Sequence, residues 1–395
     1  MVVKKIYADN SSTSFPKAPG VSCVIKDFLD KGAYNVNRGG YAGSYDIAME
    51  ILEARQLLAG MFNAAGPQEV VFTPSTTYSL NMLLQGLLKK GDHVITTSIE
   101  HNAVMRPLHV LTKTGVAYDI VPCGMDGNLK ACDITPFIRK ETKAVVMTHA
   151  SNVCGTVMPI EAVAEICQKH NIRLIVDAAQ TAGVLDIDTG AIDALAFAGH
   201  KGLLGPQGIG GFIIKKKFAE EIAPIIVGGT GSFSYEFEQP QILPDKFESG
   251  TMNIPAILGL KKAIEYVNAV GTKPIYEKEM ALTSAFISKV KSIYGVEIIG
   301  KEDTSGRVAV VSLNFVKNDN ATIAAALDEN YGIMTRCGLH CAPVAHKTLG
   351  TYPHGTIRFS FGYFNTIDEV EYIAQALKEI INACKAAKCT TAHTP

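Results

Sequence analysis

The chain has 395 residues, with 47% hydrophobic and 19% charged side chains and a formal net charge of -1. That length suffices for two domains with large buried cores, and the composition argues against disorder. The near-neutral balance removes the electrostatic case for nucleic acid or a membrane surface, and no apolar run reaches the roughly 18 residues of a membrane span.

Apolar runs and helical patterns alternate along the first two thirds. Strands are predicted at Val70 to Thr73, His93 to Thr97, Ala144 to Thr148, Arg173 to Asp177 and Ile209 to Ile214. Helical stretches separate them, including Leu80 to Leu88. In Pro159 to His170, Ile160, Val163, Ala164 and Cys167 share one helix face, and Pro159 suits the first turn. Such alternation predicts an α/β domain with a mainly parallel sheet flanked by helices. A helix is predicted from Pro255 through Val267. After it comes a βαβ-like tail: strand Val308 to Phe315, a helix near Thr322 to Asn330, and strand Thr356 to Phe361. Ile357, Phe359 and Phe361 fall on one face of that last strand, which leaves Arg358 and Ser360 on an outward face. The closing helix begins Thr366-Ile367-Asp368-Glu369, a capping-box pattern. The expected organisation is an N-terminal arm over 1–20, a large domain over 21–264 and a smaller C-terminal α/β domain over 265–395. Thr390 to Pro395 are expected to fray.

The start, Met1-Val2-Val3-Lys4-Lys5, lacks the features of a secretory signal, so a cytoplasmic location is expected. The nine cysteines are odd in number and scattered, which does not suit a disulfide framework.

Leu174-Ile175-Val176-Asp177 reads as a buried strand with a carboxylate at its tip. Lys201, in Ala198-Gly199-His200-Lys201, stands near the end of the next strand. A lysine facing such an acid suits pyridoxal phosphate: the amine takes the aldehyde, and the acid pairs with the pyridinium nitrogen. Taken singly, a strand-end Asp is also a helix cap and a lone Lys a solvated cation. Ser75-Thr76-Thr77, at a strand-to-helix junction, suits phosphate or an ordinary N-cap. His101 and Asn152 follow strand ends, where each serves equally as a structural or turn residue. No G-x-x-x-x-G-K-[ST] or G-x-G-x-x-G string supports nucleotide binding. Arg336-Cys337-Gly338-Leu339-His340-Cys341 brings two thiols, an imidazole and a guanidinium together. A thiolate beside cations is an activated nucleophile. Zinc is the alternative, but no second Cys/His cluster of clear spacing exists, so no metal is expected.

Together these motifs resemble the class V aminotransferase family of fold-type I pyridoxal phosphate enzymes, and within it the cysteine desulfurase and selenocysteine lyase group. The resemblance runs from Tyr7-Ala8-Asp9-Asn10 to Ile357-Arg358-Phe359-Ser360. It implies pyridoxal 5'-phosphate as cofactor, attached at Lys201, with Asp177 on the ring nitrogen and His101 stacked on the ring. Gln180 would reach the ring 3′ oxygen, and Asn152 would hold ring or substrate. Thr76, Thr77 and His200 would bind the phosphate, joined by Thr251 from the neighbouring subunit of a homodimer with shared sites. Arg358 would grip the substrate carboxylate, and Cys341 would accept sulfur as a persulfide. The implied reaction converts L-cysteine to L-alanine and makes sulfur available for iron–sulfur clusters or other thio-cofactors, through a sulfur-acceptor protein. Selenocysteine lyase, or another class V reaction such as transamination or β-elimination, is the alternative. So is a non-catalytic scaffold, although both Lys201 and Asp177 are present. The chain departs from the pattern at three positions. Ala198 stands where the family has Ser or Thr, Asn37 where sulfur-mobilising members often have His at the substrate, and Leu339 replaces one of two adjacent histidines.

Overall fold

The computed structural model describes residues 5–36, 40–316 and 318–391. Seven strands form the larger sheet: β2 (Val70–Thr73), β3 (His93–Thr97), β4 (Ala117–Val121), β5 (Thr142–Thr148), β6 (Arg173–Asp177), β7 (Ala194–Ala198) and β8 (Gly210–Ile214). They lie in the order β2-β8-β7-β6-β5-β3-β4. All are parallel except β8, which runs against both β2 and β7. The central strands are unbroken apolar runs because helices cover both faces. Val145, Leu174, Val176 and Leu195 pack on one side with Ile160, Val163 and Cys167. Val146, Ile175 and Ala196 pack on the other with Leu80, Leu83 and Val104. This is the expected α/β architecture, and its crevice lies outside the carboxyl ends of the parallel strands.

Helix bounds follow local chemistry. The helix expected from Leu80 begins at Thr76 (Thr76–Leu87), because the Ser75 side chain accepts from the Tyr78 N–H at 3.4 Å and draws the polar turn into the first helical turn. The helix Ile254–Val270 carries the chain past residue 264 without a break.

The smaller sheet corrects the expected βαβ tail. Its strands are β9 (Val296–Ile299), β10 (Val310–Phe315), β12 (Arg336–Gly338) and β13 (Thr356–Ser360), in the order β12-β13-β10-β9, and every pair is antiparallel. Between β10 and β13 the chain makes an extra excursion through helix Asn320–Tyr331, β11 (Ile333–Met334), β12 and helix Pro343–Thr348, which reverses the direction of return. Gly338 and Gly355 make the β12–β13 approach possible: a Cβ on Gly355 would sit 2.2 Å from the Gly338 carbonyl oxygen. The N-terminal strand β1 (Ile6–Tyr7) joins this part of the molecule, pairing in parallel with β11. Ile6 and Ala8 share a core with Ile333, Ile357, Phe359 and Val370. On the other face of β13, Asp9 and Ser12 further along that arm and the Asn152 carbonyl take up the Arg358 guanidinium. Arg358 is therefore 1% exposed and faces inward, contrary to the outward face expected from alternation alone.

The closing helix, Ile367–Thr391, has the predicted capping box: the Glu369 N–H donates to Thr366 Oγ1 and the Thr366 N–H to Glu369 Oε2. Thr390 and Thr391, expected to fray, belong to this helix, and 392–395 lie outside the described residues. Thr366→Ala is expected to lower stability by about 1 kcal/mol, read from the midpoint of urea unfolding.

Candidate active site

Five sequence segments meet at one edge of the larger sheet. Ser75–Thr77 follows β2, Glu100 and His101 follow β3, Asn152 follows β5, Asp177 ends β6, and His200–Lys201 follows β7. A cleft of about 500 Å³ is lined by Thr76, Thr77, His101, Asn152, Asp177, Gln180, Ala198, His200 and Lys201. Nine positions that sequence reasoning had singled out thus share one cavity.

The ends of the cleft differ in chemistry. At one end, Thr76 Oγ1 and His200 Nδ1 are buried without a hydrogen-bond partner among the described residues. Gly210 lets β8 press against this turn, since a Cβ there would come within 3.2 Å of the Thr76 nitrogen. Unpaired polar groups that are able to donate, beside a helix N-terminus, suit an anion. Ala198 lines this end without a hydroxyl, so Ser75, Thr76, Thr77 and His200 are left to supply its polar groups. At the other end sits Asp177, buried, with Oδ1 accepting from the Ala179 N–H at 2.9 Å. Burial raises its pKa, against that hydrogen bond and the nearby charge of Lys201. A cationic ring nitrogen would relieve that cost.

Lys201 lies between these ends. Burial lowers its pKa from 10.5 to about 8, partly opposed by Asp177. About a tenth is then the neutral, nucleophilic amine near pH 7, far more than for an ordinary lysine. Burial, with the charges of Lys201 and Arg336, lowers His101 to about 4, so its imidazole is neutral. Its Nδ1 accepts from the Ala103 N–H at 3.0 Å, which fixes the ring as the N-cap of helix Asn102–Thr112. Gln180 is held by Nε2 donating to the Ser11 carbonyl at 3.1 Å.

Arg358 closes the small-domain side. Its Nη2 donates to Asp9 Oδ1 at 2.8 Å and Ser12 Oγ at 2.7 Å, and its Nη1 to the Asn152 carbonyl at 2.9 Å. Its Nε is buried and unpaired among the described residues. Cys341 is exposed, and Arg336 Nη2 donates to its Sγ at 3.4 Å. A second, more open groove of about 690 Å³ holds Cys341 together with Thr77 and His101, which also line the first cleft. The groove that holds the thiol therefore adjoins that cleft along Thr77 and His101. Cys337 neighbours Arg336 in β12, where successive side chains point to opposite faces, and it feels Asp319 rather than the cleft.

Two expected residues stand apart. Thr251 is exposed and lines a different pocket, with Asn35, Val36, Thr230, Asp245 and Glu248. Asn37 lies outside the described residues. Three residues had no role assigned from sequence: Asp9, Ser12 and Glu100. Glu100 is fully buried, accepting from the Thr97 hydroxyl and the Thr148 N–H, and burial pushes it up to about 8. A charged residue inside an otherwise strand-ending apolar context (Ser98-Ile99-Glu100) was the available signal.

Comparison with known proteins gives the family of the chain. A probable cysteine desulfurase of Methanothermobacter thermautotrophicus is 34% identical over 382 residues, covering 95% of this chain and 94% of that protein. The apo structure of a cysteine desulfurase from Thermococcus onnurineus NA1 superposes with a TM-score of 0.90 at 31% identity, covering 96% of this chain and 95% of that one. The cysteine desulfurase CsdA from Escherichia coli gives 0.85 at 26% identity, covering 95% and 94%. The family model described as Aminotransferase class-V matches residues 6–373, from the arm that meets Arg358 to the closing helix, and the chain belongs to that family.

Proposed function

We propose that this chain is a cysteine desulfurase dependent on pyridoxal 5'-phosphate, converting L-cysteine to L-alanine and taking the sulfur onto Cys341 as a persulfide. The observation that carries this reading is the placement of an exposed thiol, held by Arg336, beside a cleft that contains Lys201 and Asp177. The residues fit the cofactor. Thr76, Thr77 and His200 would hold its phosphate, Asp177 its ring nitrogen, His101 its ring face, Gln180 its 3′ oxygen and Lys201 its aldehyde carbon. When bound, the cofactor supplies an electron sink next to the substrate α-carbon.

The chain's own groups do the rest. Arg358 binds the substrate carboxylate, with its unpaired Nε free for a charge-assisted bond, and Asn152 helps orient the substrate. Lys201 Nζ moves the α-proton as a general base. The Cys341 thiolate then attacks the substrate sulfur. An S–S bond forms and the substrate Cβ–S bond breaks. Its electron pair passes to Cβ, which gains a proton, so L-cysteine and a thiol become L-alanine and a persulfide. That persulfide is the donor to an acceptor protein for iron–sulfur clusters or other thio-cofactors.

The active unit is a homodimer. Thr251 completes the phosphate site of the other copy, which accounts for its distance from its own cleft. Apolar side chains exposed around its loop support this, among them Ile226, Val227, Tyr235, Phe237 and Tyr78. Alanine and sulfide release from L-cysteine in the presence of a reductant tests the reading, and a chain that releases neither overturns it. Arg358→Lys keeps the charge but loses the planar fork. Because a charge-assisted hydrogen bond contributes about 1.5–3 kcal/mol, KM for L-cysteine is expected to rise roughly 10- to 100-fold with a smaller change in kcat.

A further inference from the structure

Cys341 has a left-handed backbone, φ +58°, and so does the residue before it, His340, φ +49°. Two successive non-glycine residues in this region persist only where their surroundings hold them. The restraint is visible. His340 is 2% exposed, and its Nε2 lies 2.9 Å from Thr356 Oγ1. The Thr356 hydroxyl donates to Ser312 Oγ at 3.1 Å, and the Ser312 hydroxyl donates to the Val153 carbonyl at 2.7 Å. The chain ends on a carbonyl, which only accepts, so each proton has one direction. His340 must donate from Nε2, which fixes a single neutral tautomer. Burial and the neighbouring arginines keep it neutral, with a pKa of about 2. The ring packs against His346, centroids 5.4 Å apart.

The backbone is tied at the same place. The His340 carbonyl accepts from Asn152 Nδ2 at 2.8 Å, and the Cys341 carbonyl from the Asn102 N–H at 2.8 Å. Asn152 also gives its own carbonyl to Arg358.

We propose that His340 is a positioning residue: through Thr356 and Ser312 it locks the left-handed pair and sets the Cys341 thiol in register with Asn152 and Arg358. This rests on the sulfur-accepting role of Cys341. The consequence is that the thiol meets the substrate sulfur from a fixed loop rather than a searching one.

The test uses the holoenzyme with His340→Leu, Thr356→Val and His340→Gln, whose amide nitrogen replaces the Nε2 donor. His340→Leu and Thr356→Val are expected to lower kcat for alanine formation by at least about tenfold, as misplacement of a reacting group by an ångström does. KM for L-cysteine stays within about twofold, since Arg358 is untouched. The first absorbance change on mixing with cysteine keeps its wild-type rate, which a general structural lesion would not allow. Amide exchange in residues 339–342 accelerates by about tenfold, as expected for a loop that opens locally, and the larger sheet stays protected. His340→Gln retains most of both rates. Unchanged kcat and exchange in His340→Leu and Thr356→Val overturn the proposal. Wild-type turnover in Cys341→Ala would instead remove the sulfur-transfer reading, and the exchange rates would then decide the His340 tie alone.

Discussion

Replacing Cys341 with alanine is expected to lower alanine formation from L-cysteine by roughly a thousandfold or more, the scale on which loss of a nucleophile acts, while the protein still takes up its cofactor. The two halves of this expectation come from different parts of the fold. The groups proposed to hold the cofactor sit at the carboxyl ends of β2, β3, β6 and β7, within the larger sheet. Cys341 sits on the loop after β12 and reaches the cleft only through the groove it shares with Thr77 and His101. Its removal leaves the larger sheet's packing intact, because the side chain is exposed. The measurement is alanine by amino-acid analysis, beside the visible absorbance of the loaded protein. A variant that keeps its colour and its turnover would show that sulfur leaves without the thiol, and the reaction would then be an elimination. Arg336→Leu should fall between the two, because Arg336 contacts the thiol but donates no reacting atom.

The larger sheet was readable because burial on both faces writes continuous apolar runs. Val70 to Thr73 and Arg173 to Asp177 match the observed strands residue for residue. The strand before Lys201 was given no bounds, because β7, Ala194–Ala198, reads Ala-Leu-Ala-Phe-Ala and carries no β-branched residue, although every position is buried. β4, Ala117–Val121, is an edge strand with a half-exposed pattern, so its hydrophobic signal is weak. Lys201, Asp177 and the Cys341 loop were legible through residue types at strand ends. The environment of Arg358 was not. Its partners Asp9 and Ser12 lie some 350 positions earlier, and alternation along a strand says which face a side chain takes but not what covers it. The same applies to His340, whose tie runs through Thr356, Ser312 and Val153 on three separate segments.

Lys201→Ala is expected to abolish both turnover and covalent capture of the cofactor, and the pH dependence of capture separates this role from a merely electrostatic one. Burial lowers the Lys201 amine to about 8. Below that pH the neutral fraction falls about tenfold per unit, so the apoenzyme should take up pyridoxal phosphate faster as pH rises to about 8 and then level off. Borohydride fixation followed by mass spectrometry reads the label at Lys201 directly. Stability follows with a defined sign. Between about 8 and 10.5 the unfolded chain keeps a proton on this lysine that the folded apoenzyme has released, so the lysine's contribution to stability rises with pH across that window. Glu100 acts the other way: raised from 4.5 to about 8, it holds a proton in the folded state that the unfolded state has lost, and its contribution falls as pH rises through that range. Lys201→Ala removes only the first of these, so its apoenzyme should lose the gain above pH 8 and keep the decline below it. A capture rate independent of pH, or label fixed at another lysine, would sink the assignment of Lys201.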